Sequence, residues 1–301
     1  MTCYNRRETT LRCLEHLYAQ PLSDGVSFKV YLVDDGCSDG TGAAVKAAYP
    51  DVEVIRGTGD LFWCNGMRLA WEHAAKEDPD FYLWLNDDVQ LRPDAVARLL
   101  ATHGAVCSSQ FMVCGGDQGV SENSGDNFKL QSSNSQPPPT IIVGSTCDPE
   151  TGEHTYGGQR RPGRHPAKLV PVIPQDVPVE CDTFQGNVIL VPRAVYKKVG
   201  NMRPFGHAMG DTDYGLRAKK TGCRVVVALG FLGSCSKNRQ GILAETGFRK
   251  SWEVMMRRLS PGDYCRFLHD HAGWRWPFYW ARPYINLFFS GIMDWMKRNV
   301  R

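Results

Sequence analysis

The chain has 301 residues, of which 42% are hydrophobic and 22% are charged, and its formal net charge is +3. This composition allows a full hydrophobic core in one large domain, or in one domain with an appendage, and gives no broad nucleic-acid footprint. The 11 cysteines include no CxxC pair, which favours reduced thiols in a cytosol-like compartment. The polar start and the lack of any run of about 18 uncharged apolar residues predict neither a signal peptide nor a transmembrane helix.

Strand and helix patterns alternate with short links through the first third of the chain. Residues 2–5 are typical of the end of a short strand and its turn, and an amphipathic helix follows them. We predict strands at residues 28–33, 52–55 and 81–85. We also predict three helices: one that ends near residue 49, one that ends near residue 76, and one that spans residues 93–102. This alternation predicts a parallel sheet built from βαβ units.

The pattern changes beyond residue 106. Residues 114–139 are rich in Gly, Ser, Asn and Gln, and they predict a flexible insertion. Further strands are predicted at residues 140–145, within 181–191 and at 223–228, and the tail from about residue 248 is predicted to be helical. We therefore predict an α/β domain over residues 1–240 and a helical, aromatic-rich extension over residues 241–301.

Two pairs of aspartates follow predicted strands. Asp34 and Asp35 close the strand at 28–33, and Asp87 and Asp88 close the strand at 81–85. The carboxyl ends of parallel strands are where open α/β sheets bind ligands. Adjacent carboxylates on a short turn suit Mg²⁺ or Mn²⁺, which in turn holds a diphosphate. The alternative is that Asp87 and Asp88 only cap the turn before the next helix.

A third acidic position, Asp211, lies at the start of a predicted helix within residues 206–222. It either caps that helix or deprotonates the hydroxyl of an acceptor. Asp213 and Arg217 are spaced for an i,i+4 ion pair, which is a structural role.

The glycine-containing loop at residues 57–66 is not a dinucleotide fingerprint, because Phe62 stands at the last glycine position of GxGxxG. Its polar residues are positioned to border a sugar diphosphate instead. Trp63 has core packing as its alternative role. The residues that we expect at such a border are Asp60, Trp63, Asn65 and Arg68.

Two basic segments lie outside these acidic positions. Residues 160–168 contain three arginines, a histidine and a lysine, which form either a solvated loop or a contact for phosphate or an acidic acceptor. Residues 274–298 mix aromatic and basic side chains. That mixture suits a membrane interface, and the alternatives are a packed helical subdomain or an oligomer contact.

Four segments occur together in a specific order: TCYNR at 2–6, VDDGCSDGT at 33–41, LWLNDDV at 83–89 and GDTDYGLRAKKTG at 210–222. The ordered set resembles the family 2 inverting glycosyltransferases, and it is similar to bacterial-type enzymes that transfer rhamnose or galactofuranose. The resemblance covers roughly residues 2–238. It implies the GT-A fold, in which helices flank a mixed, mainly parallel sheet, here with a helical C-terminal extension.

The resemblance also implies the reaction and its partners. A sugar would pass from a UDP- or dTDP-linked donor to a hydroxyl of a glycan or lipid-linked glycan, with Asp211 as the general base. Asp88 would bind Mn²⁺ or Mg²⁺, and the enzyme would be cytoplasmic, peripheral to the cytoplasmic face of the membrane, with an oligomer as a further expectation. The donor-binding residues would be Thr2, Tyr4, Arg7, Asp34, Asp35, Asn86 and Asp87, together with Asp60, Trp63, Asn65 and Arg68.

This chain departs from the family pattern in several places. The first strand is almost absent, NDD at 86–88 replaces a triple Asp seen in some relatives, and Gly210 replaces the acid that often precedes the base. Residues 233–238 also lack the histidine that some relatives use as a metal ligand, so the third ligand stays open. The short first strand and the missing histidine keep a non-catalytic protein that binds sugar nucleotide or glycan as the alternative. A sugar-nucleotide pyrophosphorylase is a weaker alternative, because the chain lacks an opening GxGTR-like loop.

Overall fold

The computed structural model describes residues 1–108, 137–206, 208–237 and 260–299. Most of the insertion predicted at residues 114–139 lies outside these residues, as does the start of the helical tail predicted from residue 248. Within the described residues every cysteine is a free thiol.

The first third of the chain alternates strands and helices as predicted. Strands β1, β2 and β3 form a parallel sheet in that order, with β2 between its neighbours. The elements are β1 (Thr2–Cys3), α1 (Arg7–Tyr18), β2 (Tyr31–Asp34), α2 (Thr41–Ala48), β3 (Glu53–Arg56), α3 (Phe62–Ala74), β4 (Phe81–Leu85), β5 (Gln90–Leu91) and α4 (Ala95–Cys107).

The remainder adds strands that pair across long sequence separations. A short 3₁₀ turn precedes the last helix. The elements are β6 (Thr140–Cys147), β7 (His154–Tyr156), β8 (Gly158–Arg160), β9 (Val170–Pro171), β10 (Val179–Glu180), β11 (Thr183–Phe184), β12 (Val188–Pro192), α5 (Arg193–Val199), α6 (Gly210–Lys220), β13 (Arg224–Ser234), α7 (Pro261–His271) and α8 (Trp276–Asn299).

A second sheet has the order β10-β13-β6-β12-β4, with β5 added beside β13 and β7 beside β6. Its β6 and β13 are parallel, whereas β4, β5, β7, β10 and β12 each make antiparallel pairs. A small third sheet joins β11, β8 and β9. The predicted mixed α/β fold, with flanking helices and a helical C-terminal region, is confirmed.

The strand β4 has the predicted residues but a different partner. We expected a parallel strand, and its pairing within the described residues is antiparallel to β12, with Trp84 opposite Ile189. The partner lies about a hundred residues downstream, so the local alternation of strands and helices carries no signal of this pairing.

Hydrophobic clusters cover both faces of the second sheet. Every residue of β6 is buried. Successive strand side chains point to opposite faces, so Ile141 and Val143 join one cluster and Ile142 joins the other. Phe267 and Leu268 of α7 belong to the first cluster, so this C-terminal helix completes the core of the sheet.

The strand β13 is interrupted by a bulge near Gly230. Its pairing with β6 shifts register between Val227 and Phe231, and Gly230 has a φ of 53°. The guanidinium of Arg98 donates to the carbonyls of Phe231, at 3.3 Å, and of Leu229. These bonds satisfy carbonyls that the bulge removes from the ladder, and the bent strand continues to pair with β5.

Candidate functional site

The carboxylate of Asp35 organises the loop between β3 and α3. Asp35 is 3% exposed, and its Oδ1 accepts a hydrogen bond from the Gly59 N–H at 2.8 Å. Its Oδ2 accepts from the N–H groups of Leu61 at 3.0 Å and Phe62 at 3.1 Å. Both oxygens are therefore occupied by the protein backbone, and they shape the loop that leads into α3.

Asp34 closes β2 and is less completely occupied. Its Oδ1 accepts from the Cys37 N–H at 2.8 Å, and the side chain is partly exposed. The neighbouring Thr2 is buried on β1, and its hydroxyl donates to the Val33 carbonyl at 3.4 Å. Of the two aspartates after β2, Asp34 therefore has more acceptor capacity for a ligand.

The turn after β1 is fixed against the turn after β2. Asn5 has a φ of 51°, and its Oδ1 accepts from the Ser38 N–H at 2.7 Å. The Arg7 N–H donates to Oδ2 of Asp39 at 3.0 Å. Tyr4 is 57% exposed in the same turn. These bonds hold the predicted base-binding residues Tyr4 and Arg7 beside the carboxyl end of β2.

The acidic pair after β4 is bridged by an arginine. Nη1 of Arg6 lies 3.1 Å from Oδ1 of Asp87 and 3.0 Å from Oδ2 of Asp88. The hydroxyl of Thr10 donates to the other oxygen of Asp87 at 3.4 Å. Asp87 is buried and Asp88 is about one-third exposed, with 32% of its side chain accessible. One monovalent cation therefore compensates two adjacent carboxylates.

Two acids this close together resist ionisation. The pKa of Asp87 is raised from its ordinary value of 3.8 to about 6, chiefly by burial; the charge of Arg6 lowers it and the charge of Asp88 raises it. The net direction of this pKa shift means that burial and Asp88 together outweigh the stabilisation that Arg6 gives to the carboxylate. A further positive charge at these oxygens would be favourable.

The donor atoms at this end of β4 fit a hard divalent cation. Oδ1 of Asp88 is buried and has no hydrogen-bond partner within the described ranges. Cys235 lies one residue beyond the pairing of Ser234 with Gln90, and burial together with Asp88 raises the pKa of its thiol. Carboxylate oxygens are the ligands that Mn²⁺ and Mg²⁺ prefer, so Asp87 and Asp88 would hold such an ion.

The indole of Trp63 connects this acidic end to a second part of the site. Its Nε1 donates to Oδ1 of Asn86 at 2.6 Å. At the far edge of the ring, a Cβ added to Gly186 would lie 2.4 Å from Cη2 of Trp63. Gly186 must therefore lack a side chain, because the indole fills that space. Trp63 spans from β4 to the turn before β12.

Asp211 lies on the other side of that turn, at the start of α6. Its Oδ2 accepts from the Gly186 N–H at 3.0 Å, and its Oδ1 accepts from the Thr212 N–H at 2.7 Å. The residue is partly exposed in a concave region, and desolvation raises the pKa of its carboxyl although these N–H groups lower it. Gly186 and Trp63 therefore connect Asp211 to Asn86 through direct contacts.

The structure explains the glycine that precedes Asp211. A Cβ added to Gly210 would lie 2.3 Å from Sγ of Cys64 and 3.2 Å from the methyl carbon of Met202. The space that an acidic side chain would need is filled by these two sulfur-containing side chains. The departure from the family pattern is therefore compensated by local packing.

Asp213 has a structural environment, as its spacing predicted. It is fully buried, and its carboxylate contacts Nε of Arg217 at 2.8 Å, Nε2 of His271 at 2.9 Å and Nη1 of Arg203 at 3.7 Å. Burial alone would raise the pKa of Asp213, but the bond to His271 and the charge of Arg217 outweigh burial and lower it. The contact with His271 joins α6 to α7.

The remaining predicted donor residues are less closely grouped. Asp60 is exposed on the loop before α3. Nδ2 of Asn65 donates to the Phe205 carbonyl at 3.1 Å, and the guanidinium of Arg68 pairs with Glu72 at 2.6 Å along the helix. Asn65 and Arg68 therefore make these contacts within the protein, and neither contact is to Asp87 or Asp88.

A second group of ligating atoms lies beside the turn after β2. The thiols of Cys3 and Cys37 and the carboxylate of Asp34 lie within 4.8 Å of one another, and the two sulfurs are 3.9 Å apart. Burial raises the pKa of both thiols. This group was not predicted from sequence, because the two cysteines are 34 residues apart and match no ligand spacing.

The basic segment at residues 160–168 contacts the C-terminal helices. Nη1 of Arg161 donates to the His271 carbonyl at 3.2 Å, and the His165 ring packs on Tyr279 with centroids 4.3 Å apart. Burial lowers the pKa of His165, and nearby Lys168 lowers it further. These contacts favour a structural role over phosphate binding.

A cavity of about 610 Å³ lies beside the amino end of β2 and along β4. Its walls include Tyr31, Met67, Trp71 and Tyr82. None of the predicted donor, metal or base residues lines it, so the candidate site lies outside this cavity.

Sequence reasoning missed Arg6 and Gly186, which connect the predicted residues to one another. A physical signal for Arg6 was present, because a buried acid pair requires a nearby cation and Arg6 belongs to the opening motif. Gly186 carried no signal, since a glycine in a loop does not reveal which side chain fills its place.

Comparison with known proteins was made for sequence and for structure. The model of the family "Glycosyl transferase family 2" matches residues 1–147. No curated protein matches the chain. Among solved structures, the chain is similar to residues 1–349 of S. aureus TarS, with a TM-score of 0.46 and 12% identity, over 87% of this chain and 63% of that one.

A second solved structure is GalNAc-T7 with UDP, GalNAc and Mn²⁺. The TM-score is 0.52 at 12% identity, over 90% of this chain and 53% of that one, so the likeness concerns the fold. The chain spans less than two thirds of the length of either structure. Residues 1–147 thus match the model of glycosyl transferase family 2, and the chain has the GT-A fold.

Proposed function

We propose that this protein is an inverting glycosyltransferase that uses a nucleotide-diphosphate sugar and a metal ion. The observation that carries the proposal is the span of Trp63. One edge of its indole contacts Asn86 beside the acidic pair, and the other edge contacts Gly186, whose N–H binds Asp211. These contacts support the proposal because they would hold a metal-diphosphate site and a general base at the two edges of one indole.

The acidic end of β4 would bind the leaving group. Asp87 and Asp88 would hold Mn²⁺ or Mg²⁺, which supplies positive charge to the departing diphosphate. Tyr4, Arg7 and Asp34 would contact the nucleoside, since they lie together beyond β1 and β2. Thr2 and Asp35 would act by shaping this pocket, because their polar atoms already contact the backbone.

Asp211 would accept the proton of the acceptor hydroxyl while that oxygen attacks the anomeric carbon. Its raised pKa strengthens it as a base, and the two backbone N–H groups keep its carboxylate oriented. The charged form is the active one. The transfer rate should therefore fall as the pH falls through this raised pKa.

Binding of the donor nucleotide tests the first half of the proposal. Wild-type protein should bind UDP or dTDP more tightly with Mn²⁺ than without it in isothermal titration, and Asp88→Ala should lose the metal-dependent part. Asp24→Asn removes an exposed carboxylate that is not one of the candidate site residues, so this variant should bind UDP or dTDP as wild type does. Equal binding with and without metal, in wild type and Asp88→Ala alike, would contradict the metal-diphosphate site.

Transfer to an acceptor tests the second half. Asp211→Asn keeps the shape of the side chain, so it should retain nucleotide binding and lose transfer by about 10²–10⁴-fold, the usual contribution of a general base. Donor binding without donor turnover in the wild-type protein, across a panel of acceptors, would favour the alternative of a non-catalytic binding protein.

We also propose that the acceptor is a glycan presented at a membrane surface, with α8 as the contact. None of the described helices is long and apolar enough to cross a membrane. Trp274, Phe278, Ile285 and Phe289 are between 49% and 70% exposed, and their spacing places them along one side of the C-terminal helical segment. An exposed aromatic stripe of this kind suits the headgroup region of a bilayer.

A further inference from the structure

Arg6 binds one oxygen of each carboxylate in the acidic pair. A single nitrogen, Nη1, donates to Oδ1 of Asp87 and to Oδ2 of Asp88, whereas Oδ1 of Asp88 is buried and has no hydrogen-bond partner within the described ranges. Among the same residues, Nε and Nη2 of the guanidinium make no hydrogen bond. A divalent cation that binds both carboxylates would lie next to Nη1, and the two positive charges would repel each other and compete for the shared carboxylates.

The backbone of Arg6 is fixed while its side chain remains accessible. The Arg6 carbonyl accepts from the Thr10 N–H at 2.8 Å in the first turn of α1, and the preceding Asn5 is bound to Ser38. The side chain itself is 45% exposed. The guanidinium can therefore move by rotation of side-chain bonds, without a change in the turn that holds the nucleoside pocket.

We propose that Arg6 is a resident counter-ion that exchanges with the metal. In the ligand-free chain it stabilises the acidic pair, and when a divalent cation binds both carboxylates the guanidinium turns to the diphosphate of the donor. This inference rests on the proposed function. It assigns to Arg6 a ligand-binding role in which metal and nucleotide binding are coupled through one side chain.

The exchange predicts opposite effects on two ligands. Arg6→Gln removes the competing charge, so Mn²⁺ alone should bind about tenfold more tightly than to wild type, within the usual range of such couplings. UDP in saturating Mn²⁺ should bind more weakly to the variant, because the guanidinium no longer contacts the diphosphate. A residue with a purely structural role would not strengthen metal binding when it is removed.

Free Mn²⁺ is measured directly by its electron paramagnetic resonance signal during titration without nucleotide. Arg12→Gln is the matched control, since it removes the same charge from an exposed position of α1, the helix that begins directly after Arg6. Mn²⁺ affinity of Arg6→Gln equal to that of Arg12→Gln, or lower, would overturn the exchange. Absence of Mn²⁺ binding to both wild type and Arg6→Gln would overturn it as well.

A second measurement covers the case in which Arg6→Gln folds poorly. Without metal the variant leaves Asp87 and Asp88 uncompensated, so Mn²⁺ should raise its melting temperature more than that of wild type. An equal rise of melting temperature with Mn²⁺ in Arg6→Gln and in wild type would contradict the exchange between Arg6 and the metal. Failure of UDP and dTDP binding in wild type, with the Mn²⁺ difference intact, would refute the proposed function and leave the cation exchange standing.

Discussion

At the scale of single residues, the candidate site depends on a glycine. Gly186 lies against the ring of Trp63 and gives its N–H to Asp211. An alanine there would place its Cβ 2.4 Å from the indole and 3.4 Å from the Cβ of Asp211. Either the indole or the turn must move, so the hydrogen bond from the Gly186 N–H that orients the carboxylate of Asp211 is disturbed.

Gly186→Ala should therefore lower transfer at least tenfold and lower the free energy of unfolding by about 1–3 kcal/mol, the usual cost of overpacking. The matched control is Gly163→Ala, because a Cβ added at Gly163 meets no atom within 4 Å. Transfer assays and urea unfolding of the two variants provide the comparison. Equal transfer rates and equal unfolding free energies in the two alanine variants would contradict this prediction, because they would show that the indole of Trp63 can move without affecting Asp211.

Single residues also show how much of the candidate site could be predicted from the sequence. Acidic residues after β2 and β4 were predicted, and both pairs lie at strand ends. A sequence does not distinguish an aspartate that binds a ligand from one that binds backbone N–H groups, because the carboxylate accepts hydrogen bonds in both cases. Asp35, occupied by the loop before α3, illustrates the second case.

At the scale of elements, α6 and α7 are joined through a buried charge. Asp213 of α6 binds His271 of α7 at 2.9 Å, and both side chains are at most 1% exposed. The lowered pKa of Asp213 means that the carboxylate binds its proton less tightly in the folded chain than in the unfolded chain. Its stabilising contribution is therefore present above its ordinary pKa of 3.8 and is lost as the pH falls through the lowered value.

His271→Ala should lower the free energy of unfolding at neutral pH by about 1.5–3 kcal/mol, the usual value of a hydrogen bond to a charged group. The difference in unfolding free energy between His271→Ala and wild type should become smaller below pH 3.8. As the pH falls, Asp213 is protonated in the unfolded chain before it is protonated in the folded chain. Urea unfolding between neutral and acidic pH measures this. His269→Ala, two residues earlier and 66% exposed, is the control and should change stability by no more than about 0.5 kcal/mol. Equal losses of unfolding free energy in His271→Ala and His269→Ala would contradict a stabilising contact between Asp213 and His271.

The elements themselves were largely predictable where the hydrophobic pattern is local. The bounds predicted for β4 match the structure, because an apolar run ends abruptly at Asn86. The partner of β4 was not predictable, since β12 is brought beside it only by the tertiary fold. The short strands β5, β9 and β10 were missed as well, because two residues are too few for any period to show.

At the scale of the whole molecule, the surface of the C-terminal region differs from the rest. Trp274 and Phe278 are 70% and 68% exposed, and Arg275 stacks on Trp274 with its Cζ 4.3 Å from the ring centroid. Arg282 is exposed one turn beyond Phe278. Aromatic rings beside arginines suit a surface that is apolar at one depth and negatively charged at another, as an anionic bilayer is.

Replacing both Trp274 and Phe278 by serine should weaken binding to vesicles of phosphatidylcholine and phosphatidylglycerol by about tenfold or more, since two large apolar side chains no longer enter the bilayer. Co-sedimentation with vesicles measures this. Ile173→Ser, at an apolar position that is 51% exposed elsewhere on the molecule, should bind as wild type does. Unchanged vesicle binding with a change of oligomeric state would instead identify the stripe as an oligomer contact.

The bulge at Gly230 has a consequence for how this site varies. Side chains alternate along a strand, so a change of one residue upstream exchanges the face on which every later residue lies. The bulge already accommodates a register shift in β13, while Arg98 satisfies its carbonyls. Gain or loss of one residue there would bring Ser234 or Ser236 to the place of Cys235, beside Asp88. It would also put a side chain in the place of Gly233, where a Cβ lies 2.8 Å from the carbonyl oxygen of Gln90. The length of the bulge therefore fixes which side chain lies next to the acidic pair, and the close pairing with β5 opposes a change of that length.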